Sequence, residues 1–137
     1  MMKNKLTENE TVQFLIDYLE KDDWKIESFC LGQKHGNDIV AVKENRKLIV
    51  EVKGAKADDS SPTKKREYFS NGQIKNHLGK AIVKILDEKS KNPYAEYAIA
   101  HPEDKDIRKS ISHIIPYINK LDIKHFWVSS SKTIIEE

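Results

Sequence analysis

The chain has 137 residues, enough for one compact domain with a core of its own and too few for two comfortable ones. Its formal net charge of +2, from 24 basic and 22 acidic residues, excludes a polyanionic or polycationic tail and leaves any nucleic-acid surface local. Cys30 is the only cysteine, which excludes an internal disulfide and a multi-cysteine zinc site.

Charged residues make up 34% and the hydrophobic set 38%, so a core forms only if the apolar residues gather on a few faces. The opening "MMKNKLTENE" has no apolar leader core, and no run approaches the ~20 residues that a membrane helix needs. The expectation is a soluble, cytoplasmic, single-domain protein (1–137) with no membrane partner.

Thr7 followed three residues later by Glu10 fits a capping box, and Val12, Leu15, Ile16 and Leu19 recur at helical spacing, which predicts a helix from about Glu8 to Lys21. "DDWKIESFCLG", "NDIVAVK" and "KLIVEVK" read as three strands, the last two divided by "ENR". Residues 54–71 contain "DDSSP" and "KKR" with little periodicity and read as a long functional loop. A second helix is expected from about Gly72 to Lys89, with Ile74, Leu78, Ala81, Ile82 and Ile85 on one stripe. "YAEYAIAHP" reads as a buried strand and "IKHFWVSS" as a last strand. Between them a helix over about Asp104 to Leu121 is kinked or divided by Pro116. The order αβββαβαβ implies an α/β domain with a mixed β-sheet flanked by helices.

A hairpin turning at Glu44 and Asn45 pairs Lys43 with Arg46, and the same register sets Asp38 directly opposite Glu51, with Cβ atoms ~4.5–5.5 Å apart. Lys53 shares the parity of Glu51 and projects from the same face. Opposed like charges destabilise a sheet, so the pairing calls for a cation. The competing reading is a bulge that sends the acids to different faces. The acid-x-Lys triplet alone carries nothing, for it also occurs at Asp23–Lys25, Asp87–Lys89, Glu103–Lys105 and Asp122–Lys124. The apolar "LIVEV" and the second acid across the hairpin set Glu51 and Lys53 apart.

With "GNDI", "EVKG" and "QIKNHLGKAI" in place, the stretch from about residue 8 to 100 resembles the PD-(D/E)XK nuclease superfamily of restriction endonucleases and Holliday-junction resolvases. The resemblance implies a restriction-endonuclease-like αβββαβ core and a Mg²⁺-dependent nuclease, with Mn²⁺ able to substitute and DNA as substrate. It implies Asp38, Glu51 and the Val52 carbonyl as metal ligands, Lys53 as the group that orients water and stabilises charge at phosphorus, and Gln73 as the glutamine of the following helix. His77 stands where families with a Gln-x-x-x-Tyr pattern have tyrosine. Val12 occupies the position of the first-helix glutamate, which leaves Glu8 and Glu10 as candidates for an extra acid beside their ordinary role in helix capping.

Gln73, His77, Lys80 and Lys84 form one polar stripe on the second helix, suited to a phosphate backbone or simply to solvent. Lys64, Lys65 and Arg66, next to Tyr68 and Phe69, combine cations with aromatics as nucleic-acid contacts do. His35 precedes the Asp38 strand. His101, His113 and His125 lack zinc-site spacing, while Phe126 and Trp127 read as core. The alternative to an enzyme is a catalytically silent nucleic-acid-binding or assembly subunit, and the missing first-helix glutamate favours it. Double-strand cleavage by so small a chain would require a homodimer.

Overall fold

The computed structural model describes residues 5–31, 36–56 and 68–137. Helix α1 (Glu8–Lys21) begins where the capping box closes: the Thr7 hydroxyl accepts the Glu10 N–H at 3.2 Å, and the Glu10 carboxylate accepts the Thr7 N–H at 2.9 Å. Strands β1 (Lys25–Phe29), β2 (Ile39–Lys43) and β3 (Arg46–Val52) follow, then α2 (Asn71–Lys91) and β4 (Glu96–Pro102). The chain continues through α3 (Lys105–Ile111), α4 (Ile115–Asn119), β5 (Ile123–Val128) and β6 (Ile134–Glu136). The six strands lie in sequence order in one mixed sheet, parallel at β3, β4 and β5 and antiparallel towards both edges. No described helix is long and apolar enough to cross a membrane.

The period-2 alternation of β3 divides the core in two. Leu48, Val50 and Val52 pack with Val12, Leu15 and Leu19 of α1, whereas Ile49 joins Ile74, Leu78, Ala81 and Ile85 of α2 and Ile107 and Ile111 of α3 on the opposite face. Helices thus cover both faces, which is what an apolar parallel centre requires. The hairpin has the expected register, Lys43 with Arg46 through Ile39 with Val50, and Glu44 takes the positive φ (56°) that its two-residue turn demands.

Two local features, a bulge and a further strand, depart from the sequence reading, and the helix before the last expected strand takes one of its two expected forms. β1 carries one extra residue between Ile26 and Ser28, a bulge on the edge strand. The helix expected over 104–121, kinked or divided by Pro116, is divided: α3 ends at Ile111 and α4 starts at Ile115, with Pro116 in the first turn, where its missing N–H costs nothing. β6 is an additional strand, paired antiparallel with β5.

The segment before α1 returns to the end of β3. The Ala55 N–H donates to the Leu6 carbonyl at 2.8 Å, and Thr7 bridges Lys56 in parallel. Gly54 has no room for a side chain, because a Cβ would lie 2.9 Å from the Thr7 carbonyl carbon and closer still to the Glu8 nitrogen. The first turn of α1 is therefore seated on the residue that follows Lys53. Lys5 anchors the same segment to the start of α3, bonding Asp104 at 2.7 Å and Asp106 at 2.9 Å.

Candidate active site

At the carboxyl ends of β3 and β4 the sheet carries charge on the α2 face. Asp38 lies one residue before Ile39, whose partner is Val50, so it flanks Glu51 across the hairpin as its register requires. One Asp38 oxygen accepts the Val52 N–H at 2.8 Å, so the side chain continues the ladder where the backbone of β2 has turned away. A strand residue projects its N–H and C=O to the same edge, so the Val52 carbonyl points to the side on which Asp38 sits. Glu51 is 4% exposed, and its Oε1 is buried without a hydrogen bond. Lys84 Nζ stands 3.0 Å from that oxygen as an ion pair lacking hydrogen-bond alignment, and donates to the Gly36 carbonyl at 2.7 Å.

Burial is the first cause of the raised Asp38 carboxyl, resisted by the Val52 hydrogen bond and by the charges of Lys84 and Lys53. Glu51 is pushed up to about 7, by burial first and by the Asp38 charge second, against the pull of Lys84 and Lys53. A buried carboxylate pair held above its ordinary range beside lysines is the arrangement in which an added cation gains most.

Lys53 sits where four groups feel its charge: Asp38, Glu51, His77 and His101. Its backbone N–H donates to the Ala100 carbonyl at 2.9 Å, and one register step beyond Val52 and Ala100 makes His101 its neighbour on β4. His77, half-buried on α2 and edge-on to Phe69 at 4.6 Å, is pushed below the ordinary histidine range by burial and then by Lys53 and Lys80. His101 Nδ1 lies 2.8 Å from His125 Nε2, both rings fully buried. Burial drives His101 well below the ordinary histidine range and takes His125 down to about 3. Sequence spacing missed this pair, because 24 positions separate residues that only the parallel β4–β5 register makes neighbours.

The other candidates divide. Gln73 is exposed and turned back on its own helix, where its side chain accepts the Ser70 N–H at 2.8 Å and closes the capping box of α2. Glu10 is likewise the capping partner of Thr7, and Val12 is fully buried in the α1 core. Glu8, in the first turn of α1, is backed against Gly54. Lys80 is exposed on α2, one turn from His77. Lys64, Lys65, Arg66 and His35, with the middle of the long loop, lie outside the described residues.

The donors present fit a hard divalent cation. Two carboxylates and a carbonyl are oxygen ligands of the kind Mg²⁺ prefers, and the buried Glu51 Oε1, ion-paired with Lys84 but accepting no aligned hydrogen bond, is an acceptor of that kind. The described residues hold no group of three or more His, Cys, Asp or Glu placed to share a metal, so water and phosphate oxygens would have to complete the shell.

No family model matches the chain, and no curated protein matches it. In fold it is similar to the crystal structure of an fdxN element excision controlling factor protein from Anabaena variabilis, at 19% identity and a TM-score of 0.60 over 91% of this chain and 95% of that one. At that identity the likeness is one of fold.

Proposed function

We propose that this chain is a divalent-metal-dependent nuclease of the PD-(D/E)XK type that hydrolyses DNA phosphodiester bonds. The observation that carries the reading is the opposition of Asp38 and Glu51 across the β2–β3 hairpin, with Lys53 on the same face. The order α1, β1, β2, β3, α2, β4 supports it, being the succession of the restriction-endonuclease-like core. In this reading Asp38, Glu51 and the Val52 carbonyl hold Mg²⁺ or Mn²⁺. When bound, the ion supplies charge neutralisation at the phosphate and an acidified water.

The chain's own groups do the rest. Attack of a water oxygen on phosphorus breaks the bond to a sugar oxygen, and negative charge grows on the phosphoryl oxygens and the leaving group. Lys53, a compact ammonium with rotatable donors, holds the water or a phosphate oxygen and offsets that charge. His77, beside Lys53 and pushed below the ordinary histidine range by burial and its cationic neighbours, offers an imidazole at the rim for relaying a proton. Gln73 contributes by fixing the start of α2, and through it the position of His77.

The test is incubation of purified protein with plasmid, single-stranded and branched DNA in Mg²⁺, Mn²⁺ or EDTA. Cleavage in either metal and none in EDTA is the expected result; intact DNA in every arm would defeat the reading. A second reading, a nucleic-acid-binding or assembly subunit without chemistry, is favoured by one observation: core-packed Val12 occupies the position of the first-helix glutamate. It predicts DNA binding with no cleavage. Cleavage of both strands of a duplex is proposed to use two copies of the chain.

A further inference from the structure

We propose that Lys84 is the counterion built into this site: it occupies Glu51 in the metal-free protein and must yield when a divalent cation binds there, so that it sets the affinity of the centre. The inference rests on the reading that Asp38 and Glu51 hold the cation.

The geometry is that of a plug. Glu51 is buried at 4% exposure, whereas the Lys84 side chain is 44% exposed, so the ammonium reaches the carboxylate from the solvent side, the side a hydrated ion must use. Its 3.0 Å approach puts a positive charge against Oε1, and a second cation on that oxygen would meet it at close range. A 2.7 Å bond to the Gly36 carbonyl, two residues before Asp38, holds the ammonium over both acids, and its charge acts on both.

The placement follows from helix roll. Ile74, Leu78, Ala81 and Ile85 bury one stripe of α2, and His77, Lys80 and Lys84 run along its border, from beside Lys53 at one end to Glu51 at the other. Without a cation at this position the fold would bury two carboxylates against each other. With one already there, a metal binds by exchange.

The test is calorimetric titration of Mn²⁺ into DNA-free protein at pH 8, comparing the parent with Lys84→Met and Asp38→Asn. Lys84→Met is expected to bind Mn²⁺ about tenfold tighter, within the usual range of coupling between two competing binding events. It should also melt lower than the parent in EDTA and gain more from added Mn²⁺. Asp38→Asn should lose most of the binding.

Unchanged or weaker Mn²⁺ binding in Lys84→Met, with loss in Asp38→Asn, would overturn the role of Lys84 and leave the metal reading standing. No binding in the parent or in Lys84→Met, or binding that Asp38→Asn leaves intact, would overturn the metal reading and this proposal with it.

Discussion

Burying Glu51 beside Asp38 makes the stability of the metal-free fold depend on pH in a direction that can be worked out. The Glu51 carboxyl rises from an ordinary 4.5 to about 7, so between those values the folded chain keeps a proton that the unfolded chain has released. Its contribution is fully present below the lower value and is lost as pH rises through the upper one, a change on the order of 3 kcal/mol. His125 acts in the opposite sense: held neutral down to about 3, it costs stability as pH falls below its ordinary 6.5. Glu51→Gln removes the first dependence and keeps the second. Urea unfolding in EDTA should therefore show the variant gaining on the parent between roughly pH 5 and pH 8. Parallel curves would mean that Glu51 is not strained.

The same residues carry the activity predictions. Asp38→Ala, Glu51→Ala and Lys53→Ala should each lower Mg²⁺-dependent cleavage by about 10²-fold or more, with an unchanged circular dichroism spectrum. Lys25→Ala and Lys105→Ala, from two of the other acid-x-Lys triplets, should leave it intact. Full activity in any one of the first three would remove that residue from the site.

Among the elements, the β2–β3 hairpin was the most legible, because a two-residue turn between alternating apolar runs leaves one register that buries them. The capping box of α1 was legible for a similar reason: its signal is confined to four consecutive residues. β6 was not, since Ile134 and Ile135 are too short a run to distinguish from a tail, and the turn before them depends on Lys132 adopting a φ of 68°.

The His101–His125 contact and the seat of Lys84 on Glu51 arise from strand register and helix roll, which no local pattern encodes. The docking of α1 on Gly54 is equally nonlocal, and it is testable. Gly54→Ala should force the first turn of α1 off the end of β3 and cost about 1–3 kcal/mol, measured by chemical denaturation. It should also lower cleavage, because Lys53 is the adjoining residue. A variant as stable and active as the parent would show that the first turn of α1 yields to a side chain at residue 54 without cost.

At the scale of the whole molecule, helices on both faces bury the sheet, and polar chemistry is left to the rim where β3 and β4 end. Strand ends are where open α/β sheets place ligand sites, because the backbone there leaves its ladder. Asp38 accepting the Val52 N–H, and Lys53 following the last strand residue, are two instances of that departure. The mixed sheet and its helical cover could be read from hydrophobic periodicity. The edge bulge, the strand β6 and the charge balance around Glu51 required the tertiary structure.

The most direct measurement is thermal melting of the parent and Asp38→Asn, in EDTA and in increasing Mg²⁺ or Mn²⁺. An asparagine oxygen can still accept the Val52 N–H, so the substitution removes the charge and keeps the shape. If the two acids form a cation site, Asp38→Asn should melt at or above the parent in EDTA. The metal should raise the parent's melting temperature with concentration, by linkage, and the variant's far less. If Asp38 is instead an ordinary buried ion-pair partner, Asp38→Asn should lose ~3–5 kcal/mol in EDTA and the parent should be indifferent to metal, which would contradict the account.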